Sequence, residues 1–184
     1  SCQNPEQKLK SIQIIGTNGK GSTAAFLSNI LMCHGLKIGL YTSPHLVRLN
    51  ERIQINRRCI SNDYINEFIS LYKNKIINLS CTFFETMTVL AICYFKDNNI
   101  DIAILETGLG GRYDSVTACS PCLQLFTSIS KDHTHILGND IIKITTEKAH
   151  AIQKNTPCIS VPQSNKIKKV LDNFAQSQST KINY

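Results

Sequence analysis

The stretch Ile12-Gln13-Ile14-Ile15-Gly16-Thr17-Asn18-Gly19-Lys20-Gly21-Ser22-Thr23 decides the fold class. A short apolar run ends at Gly16. An amphipathic pattern over Ser22–His34, with Phe26, Leu27, Ile30 and Leu31 at helical spacing, follows the glycine turn and stops at Gly35. Strand, glycine turn and helix make the opening unit of an α/β sheet, and such a turn lets backbone N–H groups approach an anion at the helix N-terminus. Gly16, Thr17, Asn18, Gly19, Lys20, Gly21, Ser22 and Thr23 are therefore candidate phosphate-binding residues. Lys20 can reach a terminal phosphate, and the hydroxyl of Ser22 or Thr23 suits Mg²⁺. The spacing is not the standard G-x-x-x-x-G-K-[ST], because Ile14 holds the first glycine position and Gly21 separates lysine from serine. The plainer alternative is a glycine turn capped by Ser22.

Outward from this unit, apolar runs and helical patterns alternate. Lys37–Tyr41 and Arg52–Asn56 read as strands, and Asn62–Lys73 and Phe84–Phe95 as helices. Asp101–Leu105 and Leu123–Ile129 are near-continuous apolar runs, as in strands buried on both faces of a parallel sheet. Asp140–Gln153 then reads as a helix, Pro157–Val161 as a strand and Lys166–Ala175 as a helix. This order predicts a doubly wound, mostly parallel α/β sheet forming one domain over residues 1–184. Ligands of such sheets bind beyond the carboxyl ends of the strands, so the informative residues follow Ile15, Tyr41, Leu105 and Ile129.

Composition narrows the classes without choosing among them. With 42% apolar and 18% charged residues the chain is globular in type, and its formal net charge of +7 suits anionic partners. No run of 18 apolar residues exists for a membrane span, and no basic, apolar and small-residue order marks a signal peptide. A basic stripe with interleaved aromatics, as nucleic-acid binders carry, is missing too. Of the eight cysteines most sit singly in apolar stretches, and Cys119-Ser120-Pro121-Cys122 has no second pair to complete a zinc site. The reducing cytoplasm is the expected compartment. A chain beginning at Ser1 is expected to be a piece of something longer.

Four positions at the predicted ligand edge stand out. The loop after the second strand carries Ser43, His45, Arg48 and Arg52, which suit Mg²⁺ or anions or are solvated loop residues. The buried strand Asp101–Leu105 delivers Glu106, placed to bind Mg²⁺ across from the phosphate loop or to form a salt bridge or cap the following glycine turn. His133 follows Ile129 as a metal ligand with Asp132 as orienting partner, or as a locally satisfied turn residue. Lys148 lies on the next helix in Glu147-Lys148-Ala149-His150.

In order and spacing, GTNGKGST, YTSPHLVRLNERI, TFFE, ETGLGGRYD, DHTHILG and EKA resemble folylpolyglutamate synthase and dihydrofolate synthase, of the ATP-dependent Mur ligase superfamily, from about Asn4 to about Val161. The resemblance implies the central ATP-binding domain of that superfamily. It also implies an acyl-phosphate route in which ATP phosphorylates a folate or dihydropteroate carboxyl and the amine of L-glutamate displaces phosphate. It implies ATP and one or two Mg²⁺ as cofactors, small molecules as partners, and a monomer. Residue by residue, it puts Lys20 on the transferring phosphoryl group and Ser22, Ser43, Glu106 and His133 on Mg²⁺. Lys148 becomes a carbamylated lysine able to hold a second Mg²⁺, and Lys20, His133 and Lys148 are the expected catalytic residues. Thr82, Phe84 and Asp114 fall at pterin-contacting positions, where Phe84 stacks on the flat ring or, alternatively, packs its own helix. The chain departs from the family pattern at Ser115-Val116-Thr117 and at His150, which puts an imidazole beside the Lys148 site. The family's C-terminal domain, which contributes to nucleotide and glutamate binding, is expected to be absent. Other readings are a different phosphate-loop enzyme, such as a kinase or another Mur-type ligase, and a truncated remnant binding only nucleotide or folate.

Overall fold

The structure, a computed structural model, describes residues 4, 6, 9–131 and 139–184. Among them eight strands form one sheet: β1 (Ser11–Ile15), β2 (Ile38–Tyr41), β3 (Ile53–Ile55), β4 (Arg58–Cys59), β5 (Ile102–Glu106), β6 (Leu123–Phe126), β7 (Cys158–Ser160) and β8 (Ile182–Asn183). Their order is β4-β3-β2-β5-β1-β6-β7-β8. All pairings are parallel except those of β3 with β2 and β4, which form an antiparallel edge. The helices are α1 (Lys20–Cys33), α2 (Asn62–Asn78), α3 (Phe83–Asp97), α4 (Ile141–Ala149) and α5 (Asn165–Ser177).

Strand alternation sends apolar side chains to both faces. Ile14, Ile38 and Ile104 meet α1 through Ala24, Leu27 and Leu31. On the other face Tyr41, Ala103 and Leu105 meet Leu90 and Phe95 of α3, while Ile15, Phe126 and Cys158 meet α4 and α5 through Ile144, Ile167 and Leu171. Helices on both faces make the sheet doubly wound, as the alternating pattern predicts.

Several boundaries differ from the expected ones. The helix expected over Asp140–Gln153 spans only Ile141–Ala149, because the Ala151 and Ile152 N–H groups bond the carbonyls of Lys148 and Ala149 and tighten the chain into a turn. The strand expected over Leu123–Ile129 ends at Phe126, after which Thr127–Ser130 leaves the ladder to meet the phosphate loop. The two-residue strands β4 and β8 lie outside the expectation. β4 is reached through Asn56 and Arg57, whose φ values of 46° and 66° close a two-residue hairpin turn.

Candidate active site

The carboxyl ends of β1, β2, β5 and β6 bring the expected residues to one edge of the sheet. Gly16–Gly19 crosses this edge and α1 starts at Lys20, two residues before the expected Ser22. Gly19, the residue before the helix, has φ 83° and offers no side-chain cap. The first helical hydrogen bond is from Thr23 N–H to the Gly19 carbonyl, at 2.9 Å. The N–H groups of Lys20, Gly21 and Ser22 thus have no partner among the described residues, and Ser22 is exposed rather than capping. Three free donors at a positive helix end make an anion cradle.

The loop is braced from the far side. Thr17 N–H and Asn18 N–H both donate to the Ser128 carbonyl, at 2.9 and 3.3 Å. Thr17 Oγ1 donates to the Ser130 carbonyl and accepts from Ser130 N–H. Gly16 has φ 152°, and a Cβ there would fall on Thr127 Oγ1 and lie 3.1 and 3.2 Å from Thr127 Cβ and its backbone carbon. Lys148 is 5% exposed and donates from Nζ to the Gly16 carbonyl at 2.8 Å. A helical lysine that sequence patterning alone would leave in solvent therefore supports the phosphate loop from beneath.

Glu106 completes this half. Buried at the end of β5, it accepts from Ser43 N–H at 3.1 Å and lies 3.9 Å from the Lys20 ammonium. Of its expected alternatives the salt bridge is present, formed with Lys20. Burial pushes its carboxyl above the ordinary value against the Ser43 N–H, Lys20 and Arg52. A carboxylate so incompletely compensated, with the Ser43 and Ser22 hydroxyls at the same edge, offers hard oxygen donors of the kind Mg²⁺ selects. Among the described residues no group of three His, Cys, Asp or Glu side chains gathers into a metal cluster. His133 lies outside the described residues.

The second half is a cavity of about 570 Å³ lined by Thr82, Phe84, Gly108–Gly111, Asp114 and Glu147. It brings the three expected ring-contacting residues together. Phe84 packs against Gly108, where a Cβ would come 2.6 Å from the ring, and its centroid lies 5.8 Å from that of Tyr41. The two alternatives for Phe84 are thus compatible, since the ring is packed on one side and lines the cavity on the other. Asp114 accepts from Gly108 N–H at 2.7 Å, Leu109 N–H at 2.9 Å and Val116 N–H at 3.0 Å. Most of its capacity therefore shapes the loop rather than awaiting a ligand. Thr82 caps α3 in a reciprocal box with Glu85.

Other expectations are redirected. His150 does not crowd the Lys148 amine, because residues two apart on a helix point about 200° apart. Its ring meets Phe174 edge-on at 4.7 Å, Nδ1 faces the Thr146 carbonyl at 2.7 Å, and Nε2 pairs with Arg112. Thr117 donates to the Gly111 carbonyl at 2.8 Å and accepts from Gln13, so at this point of departure it ties the glycine loop down. Arg52 is buried rather than solvated, donates to His45 Nδ1 at 2.8 Å and lies over the Phe83 ring.

Sequence reasoning missed the brace beneath the cavity. Gln124 donates to Gln13 Oε1 and to the Ala151 carbonyl, and it accepts from Gln153 N–H. Gln153 Nε2 in turn holds the carbonyls of Thr117 and Cys119. A glutamine inside an apolar strand pattern was the one available signal, since a buried amide demands partners.

Comparison with known proteins follows the same lines. No family model matches the chain. Over 164 residues, 85% of the chain, it is 40% identical to the dihydrofolate synthase/folylpolyglutamate synthase of Bacillus subtilis, of which it spans 38%. The folylpolyglutamate synthase of Thermotoga maritima superposes with a TM-score of 0.90 and 33% identity, covering 98% of this chain and 42% of that one. FolC of E. coli, solved in complex with DHPP and ADP, gives 0.91 and 32%, covering 98% of this chain and 44% of that one. The chain thus spans about two fifths of the relatives it matches and corresponds to their N-terminal part.

Proposed function

We propose that this chain, which matches the N-terminal part of dihydrofolate synthase/folylpolyglutamate synthase in sequence and in fold, is the ATP-binding part of an ATP-dependent ligase joining L-glutamate to a folate or dihydropteroate carboxylate. One observation carries this reading. A buried carboxylate, Glu106, stands 3.9 Å from the lysine of a phosphate loop, on the sheet edge that also opens an aromatic-floored cavity. A nucleotide and a flat acceptor can therefore lie side by side.

In this reading the N–H groups of Lys20, Gly21 and Ser22 and the Lys20 ammonium receive the phosphates. Lys20 gives up its contacts with the Thr17 carbonyl and Glu106 to do so. Ser22, Ser43 and Glu106 would hold Mg²⁺, with His133 as the nitrogen donor. Bound there, the ion would supply charge neutralisation at the phosphoryl group. The acceptor carboxylate attacks the γ-phosphorus and ADP departs. The amine of L-glutamate then attacks the acyl phosphate, and phosphate leaves as the amide forms. Lys148 is suited to carbamylation: a carbamate keeps one N–H for the Gly16 carbonyl and turns the rest of the group into an anion for a second Mg²⁺. The site works among small molecules, in a monomer of the cytoplasm. In this reading the chain acts as a single ATP-binding domain of that ligase.

The test is ADP formation by the full-length protein with L-glutamate and a folate or dihydropteroate acceptor added singly and together. Both should be required, and Glu106→Gln should lower turnover by about 10²-fold, the usual loss of one charge-stabilising group. ADP formation with the acceptor but without glutamate would mean a kinase. Nucleotide binding without turnover under any combination would reduce the function to binding.

A further inference from the structure

Arg52 carries a charge that nothing around it answers. The residue is 9% exposed, and its guanidinium makes one hydrogen bond among the described residues, from Nε to His45 Nδ1 at 2.8 Å. Phe83 offers the cation a ring face at 5.3 Å and no acceptor oxygen. Among the described residues no carboxylate forms an ion pair with it, and its two Nη nitrogens have no partner. Those nitrogens are not sealed in, because among the described residues Ser11 Oγ is the only fully enclosed side-chain polar atom left without a partner. Buried arginines are normally paired, so an open fork on a nine-tenths buried cation points to an anion that arrives from outside.

Its place in the fold narrows which anion that is. Arg52 ends the turn Leu49–Arg52, and its carbonyl accepts from Thr42 N–H, next to the Ser43 N–H that holds Glu106. Phe83, over which the guanidinium lies, opens α3 between Thr82 and Phe84 of the 570 Å³ cavity. Arg52 thus stands where the phosphate-loop half and the cavity half meet. The cavity wall carries Glu85, Asp114 and Glu147 and, among the described residues, neither lysine nor arginine. A carboxylate brought through that cavity toward a triphosphate is repelled by both, and a cation between them is what lets the two anions approach.

We propose that Arg52 is a substrate-binding residue whose free Nη donors take the reacting carboxylate of the acceptor and present it to the γ-phosphoryl group. The proposal rests on the ligase reading above and deepens it. A guanidinium fork holds a carboxylate by two parallel hydrogen bonds, which fixes its plane as well as its charge. Each carboxylate oxygen has two lone-pair sites, so an oxygen that accepts one N–H keeps a lone pair for phosphorus. His45, by accepting from Nε, sets the direction in which the fork points.

The experiment measures binding of dihydropteroate and of its carboxamide to the full-length protein, to Arg52→Gln and to Arg52→Lys. A nonhydrolysable ATP analogue is present throughout, and its own binding checks that each variant is folded. The parent should prefer the carboxylate. Arg52→Gln should lose about 10- to 100-fold of the affinity for it, the range for a hydrogen bond to a charged group, and little for the carboxamide. Arg52→Lys keeps the charge without the fork and should fall between, and it decides alone if Arg52→Gln does not fold. A parent that binds both ligands equally overturns the proposal, as does a folded variant that keeps the parent's full preference. A loss confined to the KM for L-glutamate, with the acceptor preference intact, assigns the fork to the other carboxylate substrate and overturns it too. Failure of the parent to bind either ligand overturns the ligase reading itself, an outcome distinct from the others.

Discussion

Two loops at the same sheet edge are each folded around one carboxylate that accepts three backbone N–H groups, yet the two acids respond in opposite directions. Glu51 accepts from Leu46, Val47 and Arg48 in the loop after β2. Asp114 accepts from Gly108, Leu109 and Val116 in the loop after β5. Hydrogen bonds hold Glu51 below its ordinary value, whereas burial outweighs the same number of bonds and raises Asp114. The lesson is that the same fan of N–H donors stabilises charge in both loops, but burial of the carboxylate can outweigh it. Inside the cavity wall the same fan leaves the charge costly, and a loop built this way holds its shape at the expense of acidity.

The largest expected effect tests the buried member. Asp114→Asn leaves one carbonyl oxygen for three donors and turns an amide N–H₂ toward the others. We expect a loss of roughly 2–4 kcal/mol in urea denaturation, from about two donors left unsatisfied. A loss under about 1 kcal/mol would mean that the loop is held by Thr117 and the glutamines instead. Next in size is Gly108→Ala, which puts a methyl 2.6 Å from the Phe84 ring and should cost about 1–3 kcal/mol. Adding Phe84→Leu should recover most of that loss, because the obstruction is a side chain. Persistence of the full loss in the double variant would place the strain in the backbone.

The smallest effect separates the two acids by pH. Glu51, with its value lowered, contributes stability that is present above the ordinary value of 4.5 and lost as pH falls through its folded value. Asp114 has the reverse sign. Its folded state holds the proton more tightly, so its contribution is present below 3.8 and lost as pH rises through the raised value. Comparing denaturation of the parent with Glu51→Gln and Asp114→Asn across the acid range should therefore give differences of opposite slope. Hydrogen exchange at Leu46–Arg48 should lose protection in Glu51→Gln alone. Slopes of the same sign would break the comparison.

Much of this was legible in the residues, for physical reasons. β5 is a nearly continuous apolar run because helices cover both faces of the sheet, and Gly16–Ser22 carries its own chemistry in the glycines and the lysine. The short edge strands were not legible. Arg58–Cys59 and Ile182–Asn183 are too brief for any period, and the Asn56–Arg57 turn lacks the glycine that would announce it. In the site, residue types were legible and their commitments were not. Asp114 reads as a ligand acceptor, yet nothing in its neighbours' identities reveals that three backbone donors occupy it. His150 reads as a neighbour of Lys148 until the helix turns it toward Phe174. The Gln13–Gln124–Gln153 brace is long-range, its two links joining residues 111 and 29 positions apart, and no local pattern encodes it.

The braces on the phosphate loop also set a timetable. Thr17 finds its partners at Ser128 and Ser130, and β1 lies between β5 and β6, so the first glycine turn has no neighbour until those strands exist. At roughly 5–20 residues per second of synthesis, the nascent chain carries an apolar strand and an unbraced anion-binding turn for on the order of ten seconds. Early exposure of the most central strand makes the growing chain, rather than the finished one, the stage at which chaperones and proteases have the most to recognise.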